Sequence, residues 1–159
     1  APRKAVLDLN PIIDDSLDLM ANEFRRRQME IRRELSESGL TALVDRVQIQ
    51  QVIINLLTNA RDAVGDLAAS DRVVVARSIE RHGAAILEIE DSGVGLSDVV
   101  RERLFDPFVT TKETGMGVGL SICKSIVESH GGRIETDQGE LGGALFRVVL
   151  PLAEGARRE

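Results

Sequence analysis

The chain has 159 residues, enough for one domain with a full hydrophobic core and too few for a second of ordinary size. A formal charge of −6 and a pI near 5.1 argue against a nucleic-acid surface, which needs a concentrated basic face, and the single cysteine, Cys123, excludes an intrachain disulfide. No apolar run approaches the roughly 20 residues needed to cross a bilayer and no signal-peptide pattern opens the sequence, so the expectation is a cytoplasmic protein with no direct membrane contact and no nucleic-acid partner.

Asn10-Pro11 reads as an N-cap followed by proline at the first helical position, and Ile13, Leu17, Met20 and Phe24 then recur at helical spacing, which predicts a helix to about Arg27. The basic run Arg25-Arg26-Arg27 is the solvated end of that helix. Met29, Ile31 and Leu35 alternate with polar residues, and Leu40 to Val44 continues in extended fashion after Gly39, giving two short strands. Asp45 with Gln48 three residues on has the form of a capping box. Ile49, Val52, Ile53, Leu56, Leu57, Ala60 and Val64 mark the second helix, ended by Gly65.

Val73, Val75 and Ile79 predict a strand, His82-Gly83 a turn, and Ala85, Leu87, Ile89 and Asp91 one face of the next strand, so Asp91 falls in phase with apolar residues. Ser97 caps a helix to Phe105, and a loop from Asp106 to Gly117 leads into a last helix ending before Gly131-Gly132, with Cys123 in its core face. Ile134 to Thr136 and Ala144 to Leu150 read as a closing hairpin around the turn-rich Gln138 to Gly143. The fold class is therefore α+β: a two-layer α/β sandwich with three helices on one face of a mixed, mostly antiparallel sheet of about five strands. One domain spans 1–153 and a charged tail 154–159.

Three stretches carry chemistry. On the second helix Gln51, Asn55, Asn59 and Asp62 share one stripe beside the apolar one. Asparagine is a poor helix former, and a carboxamide oxygen can ligate Mg²⁺; the same pair would also serve as plain surface asparagines. Asp91-Ser-Gly-Val-Gly95 places an acceptor at a strand end, followed by Gly93 and Gly95, which let the chain turn tightly and approach a flat ligand. An ordinary strand-ending turn uses the same residues. Gly115, Gly117 and Gly119 precede Leu120 and the final helix, so bare N–H groups and a positive helix end can meet phosphate oxygens, with Lys112 as a nearby cation. A glycine-rich loop without a ligand is the alternative, and neither a P-loop nor a Rossmann pattern is present.

At these residues the sequence resembles the GHKL superfamily, specifically the catalytic ATP-binding domain, with its Bergerat fold, of bacterial sensor histidine kinases, and it is similar to the nitrogen- and oxygen-sensing subgroup. Asn55 to Asn59 resembles the N box, Asp91 to Gly95 the G1 box, Phe105 to Phe108 the F box, Gly115 to Gly119 the G2 box, and Gly142-Gly143-Ala144 through Phe146 the third glycine box. The resemblance implies that Asp91 binds adenine, that Asn59 and Asn55 serve Mg²⁺, and that Pro107 to Met116 is a lid over ATP. It assigns Asp62, Gly93, Gly95, Gly115, Gly117, Val118, Gly119 and Leu120 to nucleotide binding. Lys112 and Asn55 are its catalytic residues. Many members carry Lys or Arg where Asp62 stands, so the cation toward the phosphates comes from Lys112. Ala144 stands in place of the usual Thr or Ser. Hydrolytic relatives place Glu where Asn55 stands; an amide cannot take a proton from water, which disfavours ATP hydrolysis.

His82, in a turn, and His130, at a helix end, lack the amphipathic dimerisation helix that a phospho-acceptor occupies, so both read as structural. The function implied is binding of ATP-Mg²⁺, transfer of the γ-phosphoryl group to a histidine on a separate helical domain of the parent protein, release of ADP, and onward transfer to a response regulator. The isolated chain is expected to be a monomer. Two alternatives remain: a nucleotide-binding regulatory module without phosphotransfer, and an anti-sigma-factor-type protein serine kinase, which should carry Glu in place of Asn55.

Overall fold

The structure is a computed structural model and describes residues 3–106 and 119–153. Lys112, Gly115, Gly117, Val118, the segment Pro107 to Met116 and the tail 154–159 lie outside the described residues.

The chain opens with β1 (Ala5–Asp8) and α1 (Leu9–Arg26), followed by β2 (Glu30–Glu34), β3 (Thr41–Val44) and α2 (Arg46–Val64). A short 3₁₀ turn at Ala69–Asp71 leads to the hairpin of β4 (Val73–Arg81) and β5 (Ala84–Asp91). Next come α3 (Asp98–Arg103), α4 (Gly119–Ser129), β6 (Arg133–Gln138) and β7 (Ala144–Pro151). The main sheet has the order β2-β4-β5-β7-β6, antiparallel except for the parallel pair β2–β4. This is the mixed, mostly antiparallel five-stranded sheet expected.

One strand was not anticipated: β1 pairs antiparallel with β3 in a separate two-stranded sheet. It also moves the start of the first helix. Asp8, not Asn10, is the N-cap, its Oδ1 accepting from Asn10 N at 3.0 Å and Leu40 N at 3.2 Å. Pro11 thus sits at the third helical position, where a missing N–H still forfeits no intrahelical bond. Gly65 ends α2 with φ −60, a right-handed conformation rather than the left-handed cap usual for glycine.

Alternation along the strands divides the sheet into two faces. Val74, Ala76, Leu87, Ile89, Phe146, Val148 and Leu150 form one core with Ile13, Leu17, Phe24, Ile53, Leu56, Leu57 and Leu120 of the helices. The other face carries a row of directly opposed charges across all five strands: Glu34, Arg77, Glu88, Arg147 and Glu135. Arg77 Nε lies 2.9 Å from Glu34, and Arg77 Nη1 lies 3.5 Å from Glu88. Arg147 Nε lies 2.9 Å from Glu88 and its Nη1 3.4 Å from Glu135. Such alternation satisfies each charge by its cross-strand neighbour and excludes like-charge contacts.

Candidate nucleotide site

The last residue of β5 is Asp91, and its phase with Leu87 and Ile89 turns its carboxylate to the helix side of the sheet, where it is 2% exposed. Its Oδ1 accepts from Gly93 N at 2.8 Å and from Ala144 N at 3.3 Å. Oδ2 has no hydrogen bond among the described residues. Burial pushes this carboxyl up to about 6; the two main-chain N–H groups pull the other way, and the charge of Glu90 adds to the rise. A buried carboxylate with one oxygen unused is set to accept a hydrogen bond from a ligand.

Two glycines let the chain close around it. At Gly93 a Cβ would stand 2.6 Å from the Ala63 carbonyl of α2, and at Gly143 a Cβ would overlap Asp91 Oδ1 and its carbonyl. Gly95, with φ +79, follows in the same turn and lies against the Gly142 carbonyl. Sequence reading placed Gly93 and Gly95 in the site. Gly143 and the N–H of Ala144 were grouped with the third glycine box but not assigned to Asp91. The glycine pair immediately before a strand was the available signal, and the main-chain contact at Ala144 needs no hydroxyl.

Asn55 and Asn59 stand one turn apart on α2, Asn59 buried and Asn55 half-buried. The Nδ2 of Asn55 donates to the Gly119 carbonyl at 3.5 Å and to Cys123 Sγ at 3.7 Å, tying α2 to the first turn of α4. Its Oδ1 has no hydrogen bond among the described residues. Asn59 makes no side-chain hydrogen bond among the described residues. No cluster of three or more His, Cys, Asp or Glu side chains suited to a metal exists among the described residues. Two adjacent carboxamide oxygens are a donor set that fits Mg²⁺, which keeps several waters and shares substrate phosphates instead of entering an all-protein cage.

Asp62 lies further along the stripe, its Oδ1 paired with Arg61 at 3.1 Å, and Arg61 reaches Glu23 of α1 at 3.6 Å. Gly119 opens α4 beside Asn55. Leu120 is fully buried in the core, so only its main chain is available to a ligand. Cys123 is buried and its thiol is pushed up to about 11 by burial, as suits a core residue. His82 occupies the β4–β5 turn with φ 52, and His130 is buried where α4 ends.

This arrangement has counterparts. The family described as "Histidine kinase-, DNA gyrase B-, and HSP90-like ATPase" matches residues 44–154, and the chain belongs to it. Within that family its relatives are sensor histidine kinases. It is 41% identical over 153 residues to the sensor protein FixL of Bradyrhizobium diazoefficiens, covering 95% of this chain and 30% of that protein. To the C4-dicarboxylate transport sensor protein DctB of Rhizobium meliloti it is 41% identical over 145 residues, covering 91% and 23%. The chain thus spans less than a third of each. Among solved structures, a catalytic domain of histidine kinase ThkA superposes with TM-score 0.86 at 31% identity over 98% of this chain and 99% of that one. ThkA in complex with the response regulator TrrA gives TM-score 0.81 at 28% identity, covering 98% and 43%. The fold is that of the histidine kinase catalytic domains, and the chain is an ATPase-type domain of the sensor-kinase class. Among the described residues no helix is long and apolar enough to cross a membrane.

Proposed function

We propose that this chain binds ATP with Mg²⁺ and donates the γ-phosphoryl group to a histidine on a separate helical domain of its parent protein, which passes it to a response regulator. The observation that carries the reading is Asp91, an almost fully buried carboxylate with Oδ1 held by two main-chain N–H groups and Oδ2 without a hydrogen bond among the described residues. Adenine offers an amino donor to such an acceptor where guanine offers a carbonyl. Asn59 and Asn55 would hold Mg²⁺, and Lys112 would approach the phosphates. Mg²⁺, when bound, neutralises phosphate charge. The protein's own contribution is positioning: Asp91 fixes the base, and the start of α4 beside Asn55 presents main-chain N–H groups to the phosphates. In the transfer a ring nitrogen of the acceptor histidine forms the new P–N bond as the bond to the ADP oxygen breaks.

With Asn55 in place of a carboxylate, the chain has no base at that position to activate water. This favours phosphotransfer over hydrolysis and disfavours the protein serine kinase reading, which calls for Glu there. The test mixes this chain with a helical dimerisation domain from its parent protein and radiolabelled ATP. Acid-labile label on the acceptor histidine is expected; nucleotide binding without any transfer would leave the regulatory-module reading standing instead.

A further inference from the structure

Glu90 and Asp91 are consecutive on β5 and so point to opposite faces of the sheet, yet both hold the same segment, the β6–β7 turn. On the helix face Asp91 Oδ1 accepts from Ala144 N. On the other face Glu90 Oε2 accepts from Leu141 N at 2.8 Å, while Gly139 packs so tightly that a Cβ there would stand 2.5 Å from the same oxygen. The turn closes on itself through Gly139 N to the Gly143 carbonyl at 2.8 Å and Gly142 N to the Gly139 carbonyl at 3.2 Å. It therefore wraps the end of β5 and is bonded to it from both sides. Glu90 is only 1% exposed and in turn is fixed by Arg77, whose Nη1 lies 2.7 Å from Oε1. An isolated buried carboxylate would be costly, and here one oxygen is satisfied by a guanidinium and the other by a main-chain N–H.

We infer that Glu90, held by Arg77, is a positioning residue for the base site: it clamps the 139–143 turn so that Gly143 and the Ala144 N–H keep Asp91 in its binding orientation. This rests on the nucleotide reading above. Without the clamp the turn is held only from the β7 ladder and by its own two main-chain bonds, and the Ala144 N–H becomes a looser partner for Asp91. Asp91 also senses Glu90 directly. Among the described residues Glu90 is the ionisable group whose charge acts on Asp91; the opposing Val74 of β4, the Ala63 carbonyl of α2 and the N–H groups of Gly93 and Ala144 are uncharged.

The test compares Glu90→Ala and Glu90→Gln in the 159-residue chain by amide hydrogen exchange and by ATP titration across pH. Both variants leave Arg77 paired with Glu34 and Glu88, so the sheet retains its charge row. Glu90→Ala should speed exchange at Leu141 about tenfold or more in the nucleotide-free protein and weaken ATP binding by a similar factor. Glu90→Gln, whose amide oxygen can still accept from Leu141 while its NH2 faces the donor Arg77, should restore part of the protection and of the affinity that Glu90→Ala loses. It should also move the acid limb of ATP binding to lower pH, because Asp91 no longer has a charged neighbour. Unchanged Leu141 exchange in Glu90→Ala, or Leu141 exchange in Glu90→Gln as fast as in Glu90→Ala, would overturn the clamp. Exchange is read without nucleotide, so failure of the wild-type chain to bind ATP would count against the proposed function and leave the clamp to be judged on Leu141 alone.

Discussion

His130 Nε2 accepts the main-chain N–H of Asp45 at 3.0 Å, and so takes the place that the capping-box pattern assigned to Gln48. The forward half of the box is present, with Asp45 Oδ1 accepting from Gln48 N at 3.1 Å, but Gln48 Oε1 is buried without a partner among the described residues. For Nε2 to accept, the ring must carry its proton on Nδ1, which lies 2.8 Å from the Ile126 carbonyl. His130 thereby joins the end of α4 to the start of α2, the two helices that meet again at Asn55 and Gly119.

Removing this ring should expose the reserve partner. His130→Ala leaves the Asp45 N–H orphaned, a loss of about 1–3 kcal/mol, unless Gln48 turns to accept it and completes the box. Urea denaturation of His130→Ala, Gln48→Met and the double variant should show the double variant less stable than the two single effects summed. Strict additivity would mean that Gln48 never substitutes. With both ring nitrogens engaged, His130 should also take no label from radioactive ATP, and label there would contradict the structural role.

Asp91→Asn separates ligand recognition from folding. Because the buried carboxyl ionises less readily in the folded chain, Asp91 adds most to stability below about pH 4. That contribution declines as pH rises through about 6, where the charge is carried at a cost on the order of 3 kcal/mol. An asparagine oxygen can still accept from Gly93 and Ala144. The variant should therefore melt at pH 7 no lower than the wild type while binding ATP roughly ten- to hundredfold more weakly, with GTP little changed. In the wild type, ATP affinity should fall as pH drops below about 6. An unchanged ATP-to-GTP ratio in the variant would end the adenine assignment.

Asn59→Ala should remove most of the Mg²⁺ dependence of ATP binding, because its carboxamide has no other partner among the described residues to retain. Calorimetry with and without Mg²⁺ measures this; equal ATP affinity in both conditions for the wild type would refute the metal role.

Neighbouring glycines should respond differently. Gly143→Ala drives a methyl into Asp91 Oδ1 and its carbonyl and should cost well over about 2 kcal/mol and abolish ATP binding, whereas Gly142, with φ +93 but open space around its Cβ position, should cost only about 1 kcal/mol. Melting and titration of the two variants decide it, and equal losses would mean that backbone conformation, not crowding at Asp91, governs this turn.

Much of this was legible from residue patterns. The apolar stripe of α2, the Asp45 cap, the His82-Gly83 turn and the phase of Asp91 each depend on local spacing, which survives into the fold unchanged. β1 was not legible, because four residues become a strand only through pairing with the distant β3, Ala5 opposite Val44 and Asp8 opposite Thr41. Asn10-Pro11 was the stronger local signal for a helix start, and the contact of Asp8 with Leu40 overrode it. Glu90 lies out of phase with the apolar residues of β5, and it is buried by the 139–141 turn folding back over the strand end.

The parallel pairing of β2 with β4 has a consequence for how the chain assembles. These neighbours cannot zip together as a hairpin, because residues 35–72 run between them and contain all of α2. Joining β2 to β4 therefore closes a long connection, a non-local step that slows folding. The helix bearing Asn55 and Asn59 lies inside that connection, while β2 itself rests on β4 and α1, so a lesion in α1 should free the edge strand more readily than one in α2.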